Sequence, residues 1–259
     1  MNKELSHQEL AEILRATIRV GIMMLQSGAA SARAGQVMEQ VAQGLGVEQL
    51  EAYVTPTVII ATVYSGREHR TQIVKPTGLG VDMNRIGALV RLSRNMPEQA
   101  TPPQIMDMLD AIQDAPPEYP RYLVIAAVGL ACGAFAGILG GGPIEIGAAT
   151  VAAATAQALR MRMIAARLNP IAIAVVCSAI ATGISLLLVR ALAAPAPQTG
   201  LVASVLLLVP GVPLVTSILD ATRFDLVSAL SRGLYAILIL IGIGIGMLIV
   251  LAWSGLSIL

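Results

Sequence analysis

YLVIAAVGLACGAFAGIL, residues Tyr122–Leu139, decides the architecture of this chain. It carries no charged side chain, and at eighteen residues it approaches the length of about 20 apolar residues that a helix needs to cross a bilayer. Tyr119 and Tyr122 stand at its start, where interfacial aromatic rings belong. The charges fall on either side of this stretch very unevenly. Of 33 Asp, Glu, Lys and Arg residues in 259, only nine follow Arg121. A soluble chain would hold about 25% charge throughout, against 13% here. The sequence therefore predicts a membrane protein in two parts. An N-terminal cytoplasmic α+β domain (1–118) precedes an α-helical bundle of about five transmembrane helices (119–259).

Downstream of the first span, further apolar segments cover about Pro143–Leu159, Pro170–Val189, Gly200–Leu219 and Leu234–Leu256. The second is the weakest, being short and carrying Glu145 near its start. Arg160, Arg162 and Arg167 read as one loop, and Arg223 and Arg232 as another, while the opposite loops carry only Arg190. The positive-inside rule then puts the N-terminus in the cytoplasm and the C-terminus outside. No Arg or Lys is expected within the spans. Gly129, Gly133 and Gly137, and Ala148, Ala152 and Ala156, repeat at intervals of four, as helix-packing seams do.

Upstream, Ser6-His7-Gln8-Glu9 is a capping-box pattern. Leu10, Leu14, Ile18, Ile22 and Leu25 then form an apolar stripe on a helix ending near Gly28. Arg15 and Arg19 argue against its crossing a membrane. A second helix is expected over about 31–45, with Val37, Val41 and Leu45 on one face. Residues 50–75 are rich in β-branched side chains and predict a small antiparallel sheet, with Ser65-Gly66 as a turn and Pro56 at an edge or break. Asp82 and Thr101-Pro102-Pro103-Gln104 open two more helices, and Pro116-Pro117 closes the domain. Lys3, Glu4, Glu9 and Glu12 do not make a cleavable leader.

Several function classes lose their support. Net charge is +1 and there is no basic stripe, so nucleic acid is not an expected partner. His7 and His69 stand in no nucleophile or metal constellation, and Cys132 and Cys177 lie in apolar stretches as packing residues. No phosphate-binding or dinucleotide fingerprint occurs, and Gly78-Leu79-Gly80 reads as a loop. Neither enzymatic activity nor a cofactor is expected.

Three features exceed packing. Gly140-Gly141-Gly142-Pro143 places irregular backbone beside Glu145, which either faces a cavity or lies among headgroups. Val209-Pro210-Gly211-Val212-Pro213 interrupts the fourth segment, either as a broken transport helix or as a proline kink. Thr216, Ser217 and Asp220 continue from that break, and Asp220 serves either a pathway or a helix cap.

The run Ser204–Leu214 with its Pro210-Gly211-Val212-Pro213, followed by Asp220, resembles the threonine/serine exporter family. Gly21 through Leu25 with Gly28 and Ala29 resemble the family's opening helix, and Gly141, Gly142 and Glu145 its paired glycines and nearby acid. The resemblance covers nearly the whole chain. It implies the split, large-subunit form, whose partner is a small all-membrane subunit, in the inner membrane of bacteria. That form is associated with succinate export, and full-length relatives with threonine and serine export. The implied substrate pathway holds Gly141, Gly142, Glu145, Pro210, Gly211, Pro213 and Asp220, with Thr216 beside it. Many members carry Asn where Thr216 stands, which weakens the transfer of substrate identity. The implied function is a secondary exporter of small carboxylates or amino acids, with the lipid bilayer as its setting and a homo-oligomer as a further possibility. The rival is a membrane-anchored sensor or scaffold whose cytoplasmic domain binds a ligand or protein.

Overall fold

The computed structural model describes residues 5–78, 80–97 and 99–254. Lys3 and Glu4 of the leader reading, Leu79 of the loop and the end of the last segment at Leu256 lie outside these residues. The chain is mostly helical and divides into two compact units. One combines Met1–Pro116 with Gly211–Leu234, and the other Pro117–Pro210 with Tyr235–Leu259.

The first unit is α+β. Helix α1 (His7–Gln26) starts on the expected capping box, with Ser6 accepting from the Glu9 N–H and Glu9 accepting from the Ser6 N–H. It buries Leu10, Leu14, Ile18 and Leu25 of the expected stripe, while Ile22 is only partly covered. Ile13, Val20 and Met24 widen the buried face. Helix α2 (Ser31–Gly44) adds Val37, Met38 and Val41 to the same core. Each such fully buried side chain contributes about 1.5–3 kcal/mol relative to exposure. A Cβ at Gly21 would run into the Met38 side chain, so glycine there lets the two helices cross closely.

Strands β1 (Gln49–Val54), β2 (Ile59–Ser65) and β3 (Glu68–Val74) form an antiparallel sheet in sequence order. The central strand turns Ile59, Ala61 and Val63 inward in strict alternation. Pro56 sits in the β1–β2 connection, which the buried Thr55 ties down. Its N–H donates to the Val58 carbonyl, and its hydroxyl oxygen accepts from the Val58 N–H. Helices α3 (Met83–Arg94) and α4 (Pro102–Gln113) complete this layer, with Asp82 capping the first at the Arg85 N–H. Arg19 of α1 pairs with Asp110 of α4.

The second unit begins with α5 (Arg121–Ile138), α6 (Pro143–Ala165) and α7 (Pro170–Ala191). Next come α8 (Pro197–Val205) and a 3-10 turn at Leu206–Leu208. Two further helices, α9 (Gly211–Thr222) and α10 (Leu226–Ser254), follow in sequence. The first belongs to the first unit, and the second passes from one unit into the other. The glycine seam of α5 lies on α6: a Cβ at Gly129 would sit 2.8 Å from the Thr150 carbonyl, and one at Gly133 2.9 Å from that of Ile146. On α6, Ala148, Ala149, Ala152, Ala153 and Ala156 are all buried. Cys132 and Cys177 are buried free thiols.

Helices α5, α7 and α10 are long and apolar enough to cross a membrane, and a fourth crossing results if α8 through α9 is one broken span. The segment beginning at Pro143 is fully helical, but Glu145, Gln157, Arg160 and Arg162 leave it outside that group. Arg160, Arg162, Arg190 and Arg232, expected in loops, are helical residues of α6, α7 and α10.

Candidate functional site

The expected site residues fall into two clusters, one per unit, and a break that lies at the boundary in sequence. The break is local chemistry. Proline restricts the residue before it to extended backbone, and Val209 has φ −59° and ψ 125°. The 3-10 turn therefore stops at Leu208, and the next helix starts at Gly211. Pro210 has no N–H to offer the carbonyl of Leu206, which instead accepts from the Val209 N–H at 3.1 Å. Pro213 plays a different part. It is the third residue of α9, a first-turn position where the missing N–H costs nothing. Only one of the two prolines interrupts a helix.

In the second unit, Gly141, Gly142 and Glu145 stand together where α5 hands over to α6. α5 ends in a Schellman turn: Gly140 has φ +86°, its N–H donates to the Gly137 carbonyl, and that of Gly141 to the Ala136 carbonyl. Pro143 and Glu145 are the first and third residues of α6, where a fixed φ and a negative charge both favour the helix start. The Glu145 side chain is fully buried. Its Oε1 accepts from the Ala196 N–H at 2.8 Å, at the residue preceding α8, and so ties the starts of two helices together. Its Oε2 is buried without a hydrogen-bond partner. Space around it is tight, most of all at Gly141. A Cβ on Gly142 would lie 3.1 Å from Oε2, and one on Gly141 2.8 Å from Thr199 Oγ1 and 2.9 Å from the Ala136 carbonyl.

In the first unit, Asp220 is fully buried at the end of α9. One carboxylate oxygen accepts from the Ser31 N–H at 3.1 Å and the other from Arg232 Nε at 3.0 Å. Ser31 is the first residue of α2, and Ala30 before it has no side chain to cap that helix. A carboxylate 189 residues further along the chain therefore supplies the missing N-terminal acceptor. Arg232, also buried, donates from Nη2 to the Ala29 carbonyl at 2.6 Å, and Ser31 Oγ meets Ser228 Oγ at 3.0 Å. Thr216 is occupied locally, donating to the Val212 carbonyl at 2.8 Å. Ser217 donates to the Ala229 carbonyl at 2.7 Å, and joins α9 to the first turns of α10.

Arg232 is the partner that sequence reading missed. Its position among apolar residues, twelve after Asp220, was the available signal. Reading it as a loop charge hid that signal. Among the described residues no group of three His, Cys, Asp or Glu side chains could hold a metal ion.

Comparison with known proteins places the sequence among transporters. The ThrE family model, threonine/serine exporter, matches residues 15–253. A protein of Klebsiella aerogenes named "Probable succinate transporter subunit YjjP" is 28% identical over 257 residues, covering 96% of each chain. Its namesake in Escherichia coli strain K12 is 27% identical over 94% of this chain and 95% of its own. An uncharacterized Haemophilus influenzae protein is 27% identical over 53% of this chain and 46% of its own. No solved structure matches.

Proposed function

Since the chain belongs to the threonine/serine exporter family and is a multi-pass membrane transporter, we propose that it is the large subunit of a two-component exporter. In this reading it moves small carboxylates or amino acids, succinate or threonine and serine, out of a bacterial cell. It works by secondary transport across the inner membrane, with a small all-membrane subunit as partner. The observation that carries the reading is the break at Val209-Pro210 inside an otherwise apolar run. Non-helical backbone at membrane depth is tolerated where protein buries it or where it lines a cavity, and transporters place substrate there. The relatives named as succinate transporter subunits favour succinate as cargo and a second subunit as partner.

The topology that goes with this reading has the N-terminus in the cytoplasm, the C-terminus in the periplasm and five crossings, with α6 as the least apolar. The pathway runs by Pro210, Gly211 and Pro213, with Gly141, Gly142 and Glu145 holding the start of α6. Asp220 anchors the inner end of α9, and Thr216, bonded within that helix, lies beside the pathway.

The deciding experiment measures labelled succinate, threonine and serine in vesicles containing this chain, with and without the small subunit. Saturable flux of one substrate, dependent on both chains and abolished by Pro210→Ala with Gly211→Leu at unchanged assembly, is expected. Flux at the wild-type rate in that variant removes the break from the pathway. No flux with correctly inserted protein and an imposed proton gradient favours the membrane-anchored sensor.

A further inference from the structure

The carboxylate or amino-acid cargo proposed above requires a cation or donor set to meet it, and the second unit contains one outside the expected site. Arg160 lies in α6, and its Nη1 donates to the Leu207 carbonyl at 3.2 Å. Leu207 belongs to the 3-10 turn directly before the Val209-Pro210 break, where the interrupted helix leaves carbonyls without their usual donors. Among the described residues no carboxylate pairs with Arg160. A guanidinium has five donors in a planar fork, so most of its capacity is uncommitted.

One turn earlier on the same helix stands Gln157, whose Oε1 is buried without a hydrogen-bond partner. Both side chains line a cavity of about 350 Å³ whose remaining walls include Cys132, Phe135, Leu206 and Leu207. An apolar hollow with a few polar side chains in its lining is the usual form of a small-molecule site. The pairing is chemically specific. The fork geometry of arginine matches a carboxylate through two parallel N–H···O bonds. The orphan amide oxygen, covered by the lining, meets a hydrogen-bond donor on the same ligand when the Gln157 side chain rotates toward the cavity.

We propose that the cavity of Arg160 and Gln157 is a carboxylate-recognition site, placed against the broken helix. It takes a small acid that carries a hydrogen-bond donor a few ångström from its carboxylate. Hydroxy acids, amino acids and half-protonated dicarboxylates satisfy that description. With a single cation in its lining, the cavity compensates one negative charge. A fully ionised dicarboxylate is therefore a poorer ligand than its monoanion, and affinity for succinate rises as pH falls toward its second ionisation. The inference rests on the export reading for its significance, and its test is separable from that reading.

The test measures binding to the full chain in detergent, by scintillation proximity with labelled threonine and labelled succinate. Unlabelled succinamide serves as the neutral competitor. The wild type is expected to bind at least one acid and to ignore succinamide. Arg160→Gln should weaken binding tenfold or more, Arg160→Lys less, and Gln157→Leu several-fold. Arg190→Gln, which alters an exposed arginine bonded to the Ser254 carbonyl, should leave binding unchanged. Wild-type affinity in a folded Arg160→Gln protein overturns the proposal. Should that variant fail to fold, Gln157→Leu supplies the decision, and unchanged affinity for both labelled acids in that folded protein overturns the site. Vesicle flux separates the two ideas: flux with an unchanged KM in Arg160→Gln rejects the site and keeps the exporter, whereas absent wild-type flux rejects the exporter.

Discussion

Asp220 caps a helix it does not adjoin, and Arg232 neutralises it in a setting with almost no exposure. Removing one member of a buried ion pair leaves the other charge without compensation, at a cost of about 3–5 kcal/mol. Asp220→Ala and Arg232→Ala should each lower stability by about that amount, read from thermal unfolding of purified protein. Asp220→Ala combined with Arg232→Ala should lose less than the two singles added together, because neither charge is then stranded. A double variant that is as unstable as the sum of the singles would show that the two side chains act independently. A milder ion pair offers a pH test. The Arg19 guanidinium bonded to Asp110 holds that carboxyl below its ordinary 3.8. The carboxyl's folded value is depressed, so its stabilisation is present above 3.8 and is lost as pH falls through the lower folded value. Asp110 is half exposed, so the effect is small and screened by salt. Arg19→Gln should return the Asp110 titration, followed by NMR, to the ordinary range.

Among the elements, close helix crossings make the sharpest predictions. Gly133 faces the Ile146 carbonyl and the Thr150 side chain, and backbone cannot move aside as a flexible side chain can. Gly133→Leu should separate α5 from α6 and cost at least about 1–3 kcal/mol, whereas Gly147→Ala meets open space, leaves the crossing intact and should gain about 0.5–1 kcal/mol from helix propensity. Cross-linking yield between cysteines placed on α5 and α6 would report the separation. Helix ends give a gain instead. α7 ends in a Schellman turn with Ala193 at φ +48°, and the Ala194 N–H donates to the Val189 carbonyl. Left-handed backbone costs a non-glycine residue about 1–2 kcal/mol, so Ala193→Gly should raise the unfolding temperature, less the entropy glycine adds to the unfolded chain.

These same elements show what sequence can disclose. Ser6-x-x-Glu9, the α1 stripe and the β-branched stretch within 50–75 are local signals, and helix and strands formed along those patterns. Pro210 was equally legible, because proline acts on its own neighbours. Arg160 and Arg232 were not. A sequence window reads an arginine beside an apolar stretch as the edge of a span, and only tertiary structure reveals the carbonyls and carboxylate that receive it. Glu145 shows the limit from the other side: its sequence setting exposed an acid near glycines, but its partner at Ala196 is 51 residues away.

At the scale of the whole molecule, the first unit draws on two distant stretches, Met1–Pro116 and Gly211–Leu234. Fragment 1–118 should therefore be incomplete when made alone. Backbone amides at the start of α2 should exchange with solvent faster there than in the full chain, because the Ser31 N–H has lost its acceptor. Hydrogen exchange by mass spectrometry checks this. Equal protection in both would mean that Asp220 contributes little to the order of α2.

The order of synthesis adds a consequence. At about 5–20 residues per second, the stretch from Pro117 to Pro210 takes about 5–20 s to make. During that interval the nascent chain has already presented its first apolar helices for insertion, while its N-terminal portion waits with an unfinished seam. A ribosome that stalls before Gly211 thus leaves an intermediate lacking the anionic seal on α2. The acid at position 220 marks the moment at which the amino-terminal portion can mature.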